Sequence, residues 1–395
     1  MYKLKLKFCH QVANFQADSK KQPEQVEFKD KKRETLIELI DILDDSEAYD
    51  TLLNESILKE SMAMIAKNVY RTFSNKSKCT AISNLNLGNK KQQQVDPDED
   101  EPHLEEAWPH LQLVYELFLK FMMSPQIPSK VMADNISKEF IVQMLELFDS
   151  EDPRERDYLK TILHRIYGKF MGLRAYIRVQ VMNLILYITY EKEEHNGLTE
   201  LLEILSSIIS GFSAPLKEEH QAFARKVLVP LHKVRGLQNF NTQLLTCMKN
   251  FLEKDKSLGI DLINGLLKFW PITCPAKEVV YINEVEEILE TIGVEAEKKF
   301  GDFGPKLLKR LVMTSQNMHY QAAERSLLLL NNEVIQKLTK SNMQKAYPVI
   351  VRGLINANRG PNQHWNPTVN TITMTVMRTY MEMNRDLFEK ISGSS

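Results

Sequence analysis

A chain of 395 residues with 51 Lys+Arg against 52 Asp+Glu carries a formal net charge of −1, and 43% of its residues are hydrophobic. That composition excludes a mostly disordered polymer, and the charge balance argues against a protein whose main work is neutralising phosphates along a duplex. Gly at only 14 and Pro at only 15 leave little of the glycine that tight β-turns and phosphate-binding loops need.

Leu, Ile, Glu, Lys and Met are abundant instead and favour helix. The length exceeds one ordinary core, so several domains or a solenoid of repeats are expected. Four cysteines (Cys9, Cys79, Cys247, Cys274) show no metal or redox spacing, which excludes a disulfide scaffold. Met1 to Phe8 alternates charged and apolar residues and offers no apolar signal core. No run approaches the ~18 apolar residues of a membrane span, and the best candidate, Val181 to Tyr190, is too short. A soluble protein of a reducing compartment is expected.

The first 30 residues read as a polar, irregular extension with a flexible joint at Lys20-Lys21-Gln22-Pro23. Residues 31–73 read as a first helical repeat, in which Leu36, Leu39, Ile40 and Leu43 fall at i, i+3, i+4, i+7 and a second helix covers Glu55 to Phe73. Residues 74–101 lose periodicity and end in an acidic run, so they read as a loop of low complexity. From 102 to 391 the chain is almost unbroken helix, with 392–395 as a tail. Leu111, Val114, Tyr115, Phe118 and Met122 line one face, as do Phe140, Ile141, Met144, Leu145 and Phe148.

Ser150 with Pro153 marks the start of a helix whose core stripe is Leu159, Ile162, Leu163, Ile166 and Phe170. Stops follow at Asn196-Gly197, Ala214-Pro215, Gly236, Trp270-Pro271, Gly301 to Pro305 and Asn358 to Pro361. Paired helices recur at roughly 35 to 45 residues, close to the ~40–47 of HEAT or armadillo repeats. The fold class is therefore all-α, a HEAT-like or armadillo-like superhelix whose stacked pairs leave a long surface for partners.

No Walker loop, G-x-G-x-x-G, H-E-x-x-H or G-x-S-x-G is present. Nor is there a His, Asp and Asn cluster suited to a two-metal site, so the purified chain alone is expected to hydrolyse no phosphopeptide. Glu193-Glu194-His195 and Glu218-Glu219-His220 are imaginable metal ligands, but each sits beside a turn where charged helix ends are ordinary. Arg154, Arg156, Lys160, His164, Arg165, Lys169, Arg174 and Arg178 put eight basic or titratable side chains into 25 residues. Arg156, Lys160 and His164 form one ridge, with Tyr167 and Met171 beside it. Such a ridge suits an acidic peptide with an apolar anchor; it equally suits a solvated face balanced by Glu151, Asp152, Glu155 and Asp157. In Leu201 to Ile209, Ile204 and Ile208 exceed the core stripe, so they widen the apolar face toward a groove or pack on the next repeat.

These strings resemble the B-prime regulatory subunits of protein phosphatase type 2A. Asp98 to Pro102, Ala107 to Glu116, Leu147 to Asp157, Leu163 to Phe170 and Gly172 to Arg178 carry the resemblance. His195-Asn196-Gly197, Pro215 to His220 and Pro230 to Val234 extend it, densely from about 96 to 290 and collinearly to about 390. The resemblance implies a non-catalytic HEAT-like subunit that joins a scaffold subunit and a phosphatase catalytic subunit and needs no cofactor. Its partners include proteins with short Leu-x-x-Ile-x-Glu motifs, with neither nucleic acid nor membrane among them. The family's motif groove maps here onto His164, Arg165, Tyr167, Met171 and Arg174, and onto Glu203, Ile204, Ile208, Lys217 and His220. Met171 stands where Leu is usual, a swap that keeps volume.

The implied compartment is the cytoplasm, with the nucleus as a second. Departures are the loop Ser74 to Gln94, the loosely matching first 50 residues, and Leu328-Leu329-Leu330 in place of aromatics. A nuclear-transport-type solenoid, an RNA-reading solenoid and an enzyme of unrecognised carboxylate chemistry remain the alternatives.

Overall fold

The computed structural model describes residues 2–15, 23–44, 55–73, 104–124, 127–192, 194–360 and 363–393. The Lys20-Lys21-Gln22 joint, the 74–101 loop and Cys79 lie outside the described residues. Those that are described contain helices and turns and no strand, which is the expected all-α class. The chain packs as two compact units, Met1–Leu184 with His195–Ile204 and Ile185–Glu194 with Leu205–Ser395.

The first unit contains α1 (Tyr2–Cys9), α2 (Pro23–Asp44), α3 (Glu55–Val69), α4 (Trp108–Met123), α5 (Ser129–Asp134), α6 (Lys138–Glu146) and α7 (Pro153–Lys169). α1 packs on α2 and α3, both of these pack on α4, and α4 packs on α7. Leu111, Val114, Tyr115, Phe118 and Met122 of α4 are all buried, as are the five stripe residues from Leu159 to Phe170. Each such side chain contributes about 1.5–3 kcal/mol on burial.

Three local expectations in this unit need correction. The first 30 residues are not irregular throughout, because α1 is helical and buries Tyr2, Leu6 and Cys9. Alternating Lys and Leu hid a helix whose inward face is only those three positions. Its end is tied by Lys32, which is buried and donates to the Gln11 carbonyl (2.6 Å) and to Asn68 Oδ1 (2.6 Å). Burial lowers the Lys32 pKa to about 8 and pushes the Cys9 thiol up to about 11.

The second expected helix stops at Val69 rather than Phe73, and Arg71 turns into the core instead. Its guanidinium meets both oxygens of Glu155 (2.7 and 2.6 Å), and it also reaches Glu105 Oε2 (3.0 Å). Glu155 is fully buried and also accepts from Tyr115 Oη (2.7 Å) and Ser150 Oγ. Burial opposes the Arg71 charge, and the Glu155 carboxylate outweighs it, so the guanidinium pKa stays above its ordinary value. Lastly, the α7 cap is Asp152, which accepts from the Arg154 amide at 2.9 Å. Ser150 is committed to Glu155 and cannot cap.

The second unit carries α10 (Glu218–Phe223) and α11 (Val229–Leu231) on either side of a wide turn at Ala224–Leu228. It continues with α12 (Leu237–Lys254), α13 (Leu258–Lys268), α14 (Pro275–Ile292), α15 (Val294–Lys298), α16 (Phe300–Thr314), α17 (Tyr320–Leu330), α18 (Glu333–Ser341), α19 (Met343–Ala357), α20 (Pro367–Met383) and α21 (Arg385–Gly393). α12, α14, α17 and α20 pack on one another in succession and make one layer. α13, α16, α19 and α21 make the other. The first layer starts at residues 237, 275, 320 and 367, spacings of 38, 45 and 47 residues, close to the ~40–47 of helical repeats.

Gly301 to Pro305 is not a stop. It opens α16, with Pro305 inside the helix as its sixth residue, so the helix runs on without the one i→i−4 bond that proline cannot donate. A Cβ on Gly304 would stand 2.3 Å from the Phe300 ring, so glycine lets that ring lie back along α16.

Two buried carboxylates anchor the layers of this unit. Glu278 accepts from Trp270 Nε1 (2.8 Å), Thr314 Oγ1 (2.8 Å) and Asn317 Nδ2 (2.9 Å). Glu284 Oε2 lies 2.7 Å from His232 Nε2. No helix among the described residues is long and apolar enough to cross a membrane.

Candidate peptide-binding site

α7 presents its apolar stripe to the core and therefore its charged residues outward. The front of the basic ridge is already paired. Arg156 meets Glu200 Oε1 at 2.9 Å, and Lys160 meets Asp157 (2.9 Å) and Glu203 (3.0 Å). Glu200 and Glu203 lie on α9 (Leu198–Ser210), which follows α8 (Arg174–Tyr187). Arg154 pairs with Asp152, whose pKa is lowered because the Arg154 hydrogen bond and two backbone amides outweigh its burial. This half of the ridge is thus a balanced face, and Glu203 serves it as a counter-charge.

The far half differs. The C-terminus of α7 leaves its last carbonyls without intrahelical donors. Arg174 supplies them, with Nε donating to the Tyr167 carbonyl (2.9 Å) and Nη2 to that of Gly168 (3.0 Å). Its guanidinium lies 5.4 Å from the centroid of the Tyr167 ring, and Arg178 Nη1 donates to Tyr167 Oη at 3.1 Å. Lys169 points elsewhere and closes the end of α4 through the Met122 carbonyl (2.8 Å); burial lowers its pKa. Met171, in the single turn Met171–Leu173, is 74% exposed. His164 and Arg165 are also exposed.

The structure therefore gathers Tyr167, Arg174 and Arg178 into one patch, with Met171 in the turn that follows α7 and His164 one helical turn before Tyr167; Arg165 lies about 200° round the helix from Tyr167. Among the described residues, no carboxylate ion-pairs with Arg165 or Arg174. Ile204 and Ile208, a turn apart on α9, are only 3% and 5% exposed. The packing reading holds for nearly all of their surface.

Lys217 and His220 belong to the second unit. Lys217 is exposed at the N-terminus of α10, and the His220 ring stacks on Phe212 at 3.8 Å with 2° between planes. Phe212 was missed in the sequence, and no spacing signal marks it. Arg178 and Glu200 were legible, since Arg178 lies four residues beyond Arg174 and Glu200 precedes Glu203 by three.

The turn Leu147–Asp149 fixes where α9 begins. Asn196 donates to the Asp149 carbonyl (2.9 Å), and a Cβ on Gly197 would stand 2.2 Å from the Phe148 carbonyl oxygen. Backbone cannot move aside as a flexible side chain can. Gly197→Ala is therefore expected to cost about 1–3 kcal/mol of stability, read as a lower denaturation midpoint, whereas Gly168→Ala, with nothing within 4 Å, should leave it unchanged or raised.

Comparison with known proteins bears on what this patch serves. The family model of the protein phosphatase 2A regulatory B subunit (B56 family) matches residues 2–395. The chain is 44% identical over 366 residues to the serine/threonine-protein phosphatase 2A 56 kDa regulatory subunit alpha isoform of Homo sapiens, covering 93% of this chain and 71% of that protein. It is 43% identical over 385 residues to the delta isoform of Oryctolagus cuniculus, covering 98% and 62% of the two chains. With the regulatory subunit pptr-1 of Caenorhabditis elegans it shares 43% identity over 370 residues, covering 94% and 64%. It thus spans less than two thirds of the length of the last two. With a match that runs from residue 2 to residue 395, the chain belongs to the protein phosphatase 2A regulatory B subunit (B56) family, regulatory rather than catalytic chains.

Proposed function

We propose that this chain is a targeting subunit that joins a phosphatase 2A scaffold and catalytic subunit and recruits substrates through Leu-x-x-Ile-x-Glu motifs. The observation that carries the motif reading is the far half of the α7 ridge. Among the described residues, Arg165 and Arg174 have no carboxylate partner; the Arg174 guanidinium lies over the Tyr167 ring, and Met171, three residues before Arg174, is 74% exposed. A peptide that pairs an apolar anchor with a trailing Glu or a phosphate matches that chemistry. Met171 and Tyr167 cover the anchor, and Arg165, Arg174 and His164 meet the acid through charge-assisted hydrogen bonds. Ile204, Ile208, Lys217 and His220 enter the proposal from the family resemblance alone. The subunit itself moves no proton and breaks no bond; it raises the local concentration of substrate at the catalytic subunit.

Arg174→Ala or His164→Ala should cost about 1.5–3 kcal/mol of peptide affinity, the range for a hydrogen bond to a charged group. Isothermal calorimetry with a Leu-x-x-Ile-x-Glu peptide measures this, with a scaffold pull-down in parallel. Wild-type affinity in either variant removes that residue from the site. Loss of scaffold binding by both would mean a damaged fold, which is a real concern for Arg174 because it also closes the end of α7.

A further inference from the structure

The second unit holds another cationic surface, in which none of the residues proposed above takes part. Lys233 Nζ lies 4.5 Å from the centroid of the Tyr190 ring and 5.3 Å from that of Phe269. Lys268 Nζ lies 5.4 Å from the same Phe269 ring. Tyr190 is 57% exposed, and Ile272, three residues past Phe269, is 60% exposed. Lys277 caps the turn from behind by donating to the Lys233 and Val234 carbonyls (3.1 and 2.5 Å). Among the described residues, neither Lys233 nor Lys268 ion-pairs with a carboxylate.

Two aromatic faces hold the Lys233 ammonium in place, so little side-chain freedom remains to be lost when an anion arrives. The cations are accompanied by exposed apolar surface, and a ligand that satisfies both must carry acid and a ring or large apolar group together. A nucleic acid is the poorer match, because salt-resistant affinity for a phosphate backbone needs many cations in a track. An anionic membrane calls for a cluster of about four to eight basic residues. Two lysines that have no carboxylate partner among the described residues, set around aromatic rings, fit a short segment of protein.

We propose that Tyr190, Lys233, Lys268, Phe269 and Ile272 form a docking surface for an acidic linear peptide bearing an aromatic side chain. The probe is a fluorescein-labelled peptide, Asp-Asp-Glu-Asp-Phe-Asp-Glu-Asp-Asp, followed by fluorescence anisotropy on the full chain at two salt concentrations. Lys233→Gln with Lys268→Gln should weaken binding about tenfold, as loss of two charge contacts implies, and added salt should weaken the wild type. Replacing Phe by Ala in the probe should also weaken it. The charge-matched pair Lys309→Gln with Lys340→Gln, both exposed, should bind as wild type does.

An excess of unlabelled Leu-x-x-Ile-x-Glu peptide should leave this probe bound, which separates failure here from failure of the motif site; its displacement by that peptide would overturn the proposal. Equal losses from the two lysine pairs, indifference to Phe, or no binding of the probe would overturn the proposal. So would capture of anionic vesicles or single-stranded RNA through Lys233 and Lys268 without capture of the peptide.

Discussion

Replacing Glu155 by alanine is expected to destabilise the first unit by about 3–5 kcal/mol, the cost of leaving one member of a buried ion pair without its partner. The geometry makes the loss large. Arg71 reaches Glu155 through two bonds of 2.7 and 2.6 Å, and Tyr115 Oη and Ser150 Oγ converge on the same carboxylate. Removing it strands a guanidinium, a phenol and a hydroxyl in a core that also contains Leu159 and Phe118. Arg71→Met should cost about as much by the same principle, and the double variant should cost less than the sum of the two, since the second change removes a group already stranded. Urea denaturation of the four proteins measures it. Additive losses would show that Arg71 and Glu155 act separately.

The second large effect concerns His232. Its Nδ1 faces the Leu228 and Val229 carbonyls at 3.1 and 2.8 Å, and its Nε2 faces Glu284 Oε2 at 2.7 Å. All three are acceptors, so the ring donates from both nitrogens and is an imidazolium against a carboxylate. Burial alone disfavours that charge; the Glu284 charge and hydrogen bond outweigh it, and the His232 pKa is raised above 6.5. A group whose folded pKa exceeds its unfolded pKa holds its proton more tightly when folded. Its contribution is therefore complete below pH 6.5 and is lost as pH climbs through the folded value.

Wild type should accordingly be more stable at about pH 6 than at about pH 9 by more than a His232→Leu/Glu284→Leu double variant is. Glu284→Ala alone leaves the ring buried without its counter-charge and should cost about 3–5 kcal/mol near pH 6. Parallel pH profiles for wild type and the double variant would remove His232 as their source.

These two networks mark where sequence reading stops. Helix faces were legible because they repeat at i, i+3, i+4 and i+7, and the buried stripes of α4 and α7 follow that rule residue by residue. Arg71 and Glu155 are 84 positions apart, and His232 and Glu284 are 52 apart; no local pattern links such pairs. Helix ends were half legible. Pro153 announced α7, but the choice of Asp152 over Ser150 as cap depends on where Glu155 draws the serine hydroxyl. Pro305 read as a stop because proline usually is one, yet α16 runs through it as its sixth residue.

At the candidate site the residue types were all visible in the sequence, and their division of labour was not. Arg156 is balanced by Glu200, and Lys160 by Asp157 and Glu203, whereas among the described residues Arg165 and Arg174 have no carboxylate partner. That split depends on where α9 places Glu200 and Glu203. Ile204 and Ile208 looked surplus to the core stripe, yet both are buried, because amphipathic width alone does not say whether a neighbour covers it.

The central claim is that this subunit brings motif-bearing substrates to a phosphatase, and one reconstitution tests it most directly. The chain is mixed with scaffold and catalytic subunits, and dephosphorylation is timed for one phosphopeptide fused to Leu-x-x-Ile-x-Glu and for its twin with alanine at the Leu, Ile and Glu positions. Faster turnover of the motif-bearing substrate, present with wild-type chain and absent with Arg165→Ala/Arg174→Ala in an intact assembly, is the predicted result. Equal rates for both substrates in an assembled complex, or no assembly with scaffold and catalytic subunits, would contradict it.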